Sequence, residues 1–379
     1  MSEWKEYSIE DFAEILNHRR IPLSSMERAK KKGDFPYYGA SGIIDYVNDY
    51  IFDGDHVLIS EDGENLKSRN TPIAFVASGQ FWVNNHAHIV KGKKDFHNKL
   101  IVYYMQNLDL NPFLTGAVQP KLNKAALTSI PFFLPSNEKE QTAIASVLSS
   151  LDDKIDLLHR QNATLEKMAE TLFRQWFVEE AKEEWEYQLN LGDLIETVSI
   201  THKFPYPTIV FLNTSDIYLG NVLEHNPSDV KGLPGQAKKS IQKDDILFSE
   251  IRPANGRWAY IEFDADNYVV STKLMVLRSK KVVSQAFVYF YLTNSSTVDW
   301  LQMIAESRSG TFPQITFDQI KDLKISVPSE KILNNTIDWC EATLKKIKSN
   351  QTQIRTLTSL RDNLLPKLMS GEVRVEMNS

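Results

Sequence analysis

The stretch Glu138–Trp176, EKEQTAIASVLSSLDDKIDLLHRQNATLEKMAETLFRQW, constrains the fold more than any other. Alternating steps of four and three from Ile144 land on Ile144, Leu148, Leu151, Ile155, Leu158, Asn162, Leu165, Ala169, Leu172 and Trp176, and only Asn162 is polar. A seam of that period, held for more than four heptads, belongs to a coiled coil; an ordinary globular helix shows a wider apolar face. Asn137 with Glu140 three residues on reads as a capping box just after Pro135. About 40 helical residues at ~1.5 Å each make a rod of roughly 60 Å. Such a rod in the middle of a 379-residue chain is expected to separate two bodies.

Composition bounds what those bodies are. An apolar content of 42% fills ordinary cores for two or three domains. No apolar run approaches 18 residues, which argues against a membrane span. MSEWKEYSIEDF at the start is amphipathic and acidic, without an apolar signal core, so secretion is not expected. The single cysteine, Cys340, excludes an intramolecular disulfide and fits a reducing, cytoplasmic location; its ordinary place is a small apolar residue on a helix seam. A net charge of −6 argues against nucleic acid only in the far field, because the charges are uneven. Basic blocks stand at His18–Arg20, Arg28 and Lys30–Lys32, at Lys91, Lys93, Lys94 and Lys99, and at Lys231, Lys238, Lys239 and Lys243. Acidity gathers at Glu179, Glu180, Glu183, Glu184 and Glu186, where the rod ends.

Before the rod, HVLIS (56–60), IAFVA (73–77) and HAHIV (86–90) read as strands separated by turn residues. NKLIVYYMQ (98–106) reads as a buried helix. GAVQPKLN (116–123), a short helical run and an extended IPFFLP (130–135) follow. After the rod the same order returns. WKEYSIEDFAEI is echoed by WEYQLNLGDLIET (185–197), with Asp11 answering Asp193, and DHVL (55–58) by DDIL (244–247). FWVNNHAHIV (81–90) is echoed by NYVVSTKLMV (267–276), VYYM by VYFY, GAVQPKLN by SGTFPQIT (309–316) and IPFFLP by LKISVP. Identities are few, so the duplication rests on order and spacing. A second helical stretch from 329 carries a weaker seam, Ile347, Ile354, Leu357, Leu364 and Leu368, interrupted by Thr343, Asn350 and Arg361. Pro366 is expected to kink its last turns and Gly371 to cap it. Asn162 and Asn350 read as register-setting polar residues. Connectivity leaves the second helix nowhere to pack except back along the first. The expected fold is α/β (α+β): two mixed globular domains separated by a long antiparallel two-helix coiled coil, with internal pseudo-twofold duplication. The divisions fall at 1–135, 136–182, 183–328 and 329–379.

Two domains at fixed separation suit a target that repeats along a line, as groove faces of B-DNA do about every 34–36 Å. GAVQPKLN, YYGASGIIDYVNDYIFDGDHVLISEDGEN (37–65), the LSSLDDKIDLLHRQNATLE helix, LFRQWF and LRDNLLPKLMSGEV together resemble the specificity (S) subunits of type I restriction–modification systems. The resemblance covers nearly the whole chain. It implies target-recognition domains that each read half of a bipartite double-stranded DNA site, with an unread spacer set by the helices. It also implies methyltransferase (M) subunits that dock on the helices and carry S-adenosylmethionine, and a motor-nuclease (R) subunit. SGTFPQIT departs from the QPKLN-type ending, which opens the question whether Gln314 does what Lys121 does.

Chemistry of its own is not expected of the chain. The nearest string to an N-P-P-[YF] acceptor motif, Asn111-Pro112-Phe113-Leu114, lacks the second proline, and no phosphate-binding G-x-x-x-x-G-K-[ST] loop occurs. D-x-K triplets at Asp152–Lys154 and Asp322–Lys324 lack an upstream carboxylate, and His86 with His88 lacks a third metal ligand. No catalytic residue, metal or cofactor is therefore expected. DNA-reading candidates are Arg19, Arg20, Lys30, Lys31, Lys67, Arg69, Asn70, Asn85, His86, Lys121, Asn123 and Lys124 in the first domain. In the second they are Lys203, Lys238, Lys239, Arg252, Asn255, Arg257, Lys273, Arg308 and Gln314. Arg252, Asn255 and Arg257 share a Pro/Gly loop from which both guanidiniums are expected to reach outward. Trp176, Phe177, Leu364, Leu365 and Leu368 are candidates for M-subunit docking, with coiled-coil core as their ordinary role. A second copy of the chain is a further candidate partner for the isolated subunit. A non-catalytic scaffold holding two protein partners at fixed distance is the alternative function, favoured by the net acidity.

Overall fold

The structure, a computed structural model, describes residues 3–116, 119–179, 187–280, 282–308, 312–327 and 330–375, without the side chains of 178–179, 187–188, 308, 326–327 and 330. The acidic run from Glu180 to Glu186, Ala117–Val118 of GAVQPKLN and residues 309–311 of SGTFPQIT fall outside. The chain forms two compact units, Met1–Leu157 with Gln353–Ser379, and Leu158–Thr352. Each long helix, Glu138–Arg174 and Glu330–Ser370, gives one half to each unit.

In the first unit HVLIS is buried at every position, so it has to be an interior strand. His56–Ser60 runs between Ala87–Gly92 and Ala74–Ala77, with Ala13–Ile15 completing a four-stranded antiparallel sheet. The buried helix Asp95–Asn107 packs on that sheet. A second four-stranded sheet has the order Gly42–Val47, Lys32–Gly39, Gln80–Val83, Phe52–Asp53, its middle pair parallel. Trp4–Tyr7 pairs with Phe132–Pro135.

The second unit repeats each of these pairings. Ile195–Thr197, Leu274–Ser279, Ile246–Ser249 and Trp258–Tyr260 form one sheet in the same order. Ser228–Asp229, Thr208–Leu212, Tyr268–Ser271 and Ala237–Ser240 form the other, again with a parallel middle pair. Asp11 and Asp193 close matching capping boxes with Ser8 and Asn190. Lys93 N donates to Phe12 O at 2.9 Å and Lys280 N to Leu194 O at 2.8 Å. One alignment needs correcting. Leu58 opposes Ile89 and Leu247 opposes Val276, so 81–90 lies over 268–277, one residue beyond the expected register. A one-residue slip exchanges the two faces of a strand; strands buried on both faces carry no alternation to reveal it. The main departure from the repeat is a helix, Ser295–Arg308, where the first unit has only a short turn at Asn111–Phe113.

The two halves of the helical pair are built into the domain cores. Ile144, Ala145, Leu148, Leu365, Leu368 and Met369 are buried with the first sheet's residues, and Ala169, Phe173, Phe177, Cys340, Leu344 and Ile347 with those of the second unit. Each leucine, isoleucine, phenylalanine and methionine among them is worth ~1.5–3 kcal/mol of apolar burial. Contacts run antiparallel within each unit. In the first, Glu140 pairs with Arg374 and Asp152 with Arg361; in the second, Asn162 meets Asn350. Arg361 interrupts its seam because Asp152 receives its Nη1 at 2.9 Å and the Tyr103 hydroxyl at 2.6 Å. Asn350 Nδ2 donates to Asn162 Oδ1 at 2.8 Å, a pairing that fixes register. At the helix start Asn137 Oδ1 accepts from Lys139 N at 2.9 Å, while the Glu140 carboxylate pairs with Arg374. The second helix continues through Pro366 to Ser370. Gly371 follows with φ +76°, and a Cβ there would lie 2.9 Å from Trp4 Cε2, so only glycine fits.

Candidate nucleic-acid interface

Where the central strand of the first unit ends, Glu61 joins three loops. Its N–H donates to His86 O at 2.9 Å and its carbonyl accepts from Leu122 N at 2.8 Å. Its carboxylate receives Arg20 Nη1 at 2.6 Å and stands 3.7 Å from both Lys121 Nζ and His88 Nδ1. Arg20 also donates to the carbonyls of Asn17, Asn85 and Ala87. His88 is fully buried, with Nε2 2.7 Å from Leu122 O and Nδ1 2.7 Å from Asn17 Nδ2. A carbonyl only accepts and an amide nitrogen only donates, so His88 is neutral with its proton on Nε2. Burial pushes its pKa down, in agreement. Gly63 N donates to Pro120 O at 3.1 Å, tying GAVQPKLN to the same corner. On this frame Asn85, His86 and Lys121 are exposed, and His86 Nδ1 lies 2.9 Å from the Asp62 carboxylate; Lys67, Asn70 and Lys124 are exposed elsewhere in the same unit.

The second unit builds the same frame from Glu250. Its N–H donates to Lys273 O at 3.0 Å and its carbonyl accepts from Ile315 N at 2.8 Å. Its carboxylate accepts from Gln314 Nε2 at 2.8 Å, and Lys273 Nζ lies 3.9 Å away. Gln314 thus occupies the place of Lys121 beside the equivalent carboxylate. Arg252, at φ +44°, donates its N–H to Pro313 O at 3.1 Å as Gly63 does to Pro120. The side chains of Arg252 and Asn255 lie on the exposed side of the loop.

The family model of the type I restriction modification DNA specificity domain matches residues 1–167 and 182–358. The chain belongs to that family. It is 30% identical over 344 residues to a putative type I restriction enzyme specificity subunit of Haemophilus influenzae, spanning 87% of this chain and 84% of the relative. A second relative from that organism, the HindI specificity subunit, is 43% identical over 175 residues, but the match spans 46% of this chain and 38% of that subunit. The MjaIX specificity subunit of Methanocaldococcus jannaschii is 24% identical, with 99% of this chain and 94% of the relative covered. The crystal structure of a type I restriction–modification S subunit from M. genitalium shares the fold, with TM-score 0.67 at 16% identity over 100% of this chain and 97% of that one.

Several residues expected to read DNA in this specificity-family chain are instead spent on its framework. Arg20 is the ion-pair partner of Glu61. Asn123 caps the helix Lys124–Ser129, its Oδ1 accepting from Ala126 N at 2.9 Å. Arg69 donates to the carbonyls of Gln106 and Leu108 at the end of the helix Asp95–Asn107. Arg19 donates to Ile51 O at 3.0 Å and stacks on Phe52, and Lys31 lies over the Trp82 ring. Lys239 turns inward to Thr272 O at 3.1 Å and Leu274 O at 2.8 Å, and burial lowers its pKa. Arg257 donates to Ser215 O and Ile217 O, both at 3.1 Å, and covers Tyr218, so it does not reach outward beside Arg252. For Arg19, Arg20, Arg69, Lys239 and Arg257 the cause is common: a guanidinium or ammonium near backbone carbonyls satisfies them and loses its freedom. Lys30, Lys203 and Lys238 are exposed, and the Arg308 side chain lies outside the described residues.

The docking candidates divide between the units: Trp176 and Phe177 belong to one, Leu364, Leu365 and Leu368 to the other. Phe177 stacks on Phe173 and meets Phe287 edge-on, and Leu365 and Leu368 are buried, so these three are core. Trp176 and Leu364 are half-buried against the same cores. Among the described residues no group of three or more His, Cys, Asp or Glu side chains could hold a metal, and no helix is long and apolar enough to cross a membrane.

The residues the sequence reading missed are Glu61 and Glu250. Extending the DHVL/DDIL echo by three residues exposes them, as Ser60-Glu61 over Ser249-Glu250.

Proposed function

We propose that this chain is the non-catalytic DNA-reading subunit of a type I restriction–modification enzyme. Each target-recognition domain, 1–135 and 183–328, reads one half of a bipartite site with an unread stretch between. The observation that carries the reading is one frame built twice with different rims. Glu61 and Glu250 hold equivalent loops, while the positions of Asn85 and His86 in one domain are taken by Thr272 and Lys273 in the other. A constant frame with variable rims suits one chain that reads two different base sequences. The residues proposed for contact are Lys67, Asn70, Asn85, His86, Lys121 and Lys124, then Lys203, Lys238, Arg252, Asn255, Lys273 and Gln314. The outer faces of the helices Glu138–Arg174 and Glu330–Ser370 would receive the methyltransferase subunits, which would bring S-adenosylmethionine, and a motor-nuclease subunit would join for cleavage.

Long-read methylation mapping of the host genome, with the gene intact and deleted, tests this. A bipartite methylated motif with an unread spacer is expected to vanish on deletion. Unchanged methylation, together with no salt-dependent sequence-specific DNA affinity of the purified chain, would replace this reading with a protein-binding scaffold.

A further inference from the structure

Beside the Glu61 frame, the strands Lys32–Gly39 and Gly42–Val47 form a hairpin whose second strand exposes two adjacent isoleucines at a register shift, Ile43 at 46% and Ile44 at 53%. The tip is stitched to the frame. Ser60 Oγ, one residue before Glu61, donates to Ala40 O at 2.6 Å, and Asn84 N donates to Tyr38 O at 3.0 Å. A Cβ on Gly39 would lie 3.0 Å from Ile44 Cγ2 and 3.5 Å from Asn84 Nδ2, so the Ile44 side chain lies against the turn that presents Asn85 and His86. Asn84 Oδ1 in turn accepts from His86 N at 2.8 Å. Two β-branched side chains on a short strand beside an anchored turn lose little freedom on contact. The corresponding strand of the second unit, Thr208–Leu212, leads instead into a turn at Thr214–Asp216 and then to Tyr218, Leu219 and Leu223, which are exposed but include no adjacent β-branched pair.

Resting on the DNA-reading function proposed above, we infer that Ile43 and Ile44 are an apolar reader that packs on the C5-methyl groups of thymine in the half-site of the first domain. The hairpin is continuous with the polar rim, and an aliphatic surface next to hydrogen-bonding side chains matches the major-groove edge of an A·T pair. There a methyl group projects beside acceptor and donor atoms.

The test begins from the mapped target. In duplexes carrying it, each thymine of both half-sites is replaced singly by deoxyuridine, which removes the methyl and leaves the base pair. Affinities are measured for the full chain, wild type, Ile43→Ala, Ile44→Ala and the double variant, with thermal unfolding as a check on folding. One or more substitutions, all in one half-site, are expected to weaken wild-type binding about threefold to fivefold, the worth of one buried methyl-sized group. The same substitutions should cost the double variant less than half as much. Deoxyuridine that costs wild type and variants alike overturns the inference. So do an absence of any cost and a first half-site without an A·T pair, and each leaves sequence-specific binding intact. Affinity for the mapped target no higher than for an unrelated duplex of equal length would remove the DNA-reading function itself.

Discussion

Replacing Glu61 with alanine tests whether one carboxylate holds the reading loops of the first domain. Its side chain is 13% exposed and that of Arg20 16%, so the pair is largely shielded from water. Removing one member of a buried pair costs about 3–5 kcal/mol. Arg20 keeps three backbone carbonyls, at 3.2, 3.3 and 2.9 Å, which soften the loss. A local cost of about 2 kcal/mol follows, equivalent to about a thirtyfold rise in opening. Glu61→Gln keeps an acceptor oxygen and should lose about 1 kcal/mol. Amide hydrogen exchange reads this directly, at Asn85–Ala87 and Lys121–Asn123, with the equivalent Thr272–Leu274 and Gln314–Thr316 as internal control. Recognition of one half-site should weaken in parallel. Exchange within threefold of wild type at the first set, or an equal rise at the control set, would refute the keystone role.

Phe177→Asp puts a charge into the aromatic cluster with Phe173 and Phe287, so the second unit should lose about 3–5 kcal/mol, read by denaturant unfolding. Loss of methyltransferase association with unfolding unchanged would restore a docking role. Arg252→Ala should weaken one half-site in a binding assay with salt titration. Arg257→Ala should instead destabilise its loop by about 1–2 kcal/mol, because two carbonyls lose their donor. Burial lowers the pKa of His56, His88 and His97 in the first unit and of His202 in the second. With folded values below the unfolded value of about 6.5, the related stability is present above that pH and is lost as pH falls through it. The first unit should therefore lose stability faster than the second between about pH 7 and about pH 5. His88→Gln should flatten that slope.

The heptad seam, the order of strands and the duplication were legible in the sequence because period and apolar run length report directly on burial. Asn162 and Asn350 stood out for the same reason, each a polar residue on an apolar line, and they meet in the structure. The register of 81–90 was not legible, since a strand buried on both faces offers no alternation. Nor was the fate of Arg20, Arg69, Lys239 and Arg257. Their charge marks them as able to reach DNA, but only the folded chain brings them within 3.5 Å of carbonyls from residues far along it. The same holds for Trp176, Phe177 and the leucines 364, 365 and 368: heptad spacing shows that a face is buried, not what buries it. Sequence by itself determined a duplicated chain with two long helices, because those properties are local and periodic. Tertiary structure decided which polar residues face outward, because that depends on which backbone groups of distant loops were left to be satisfied.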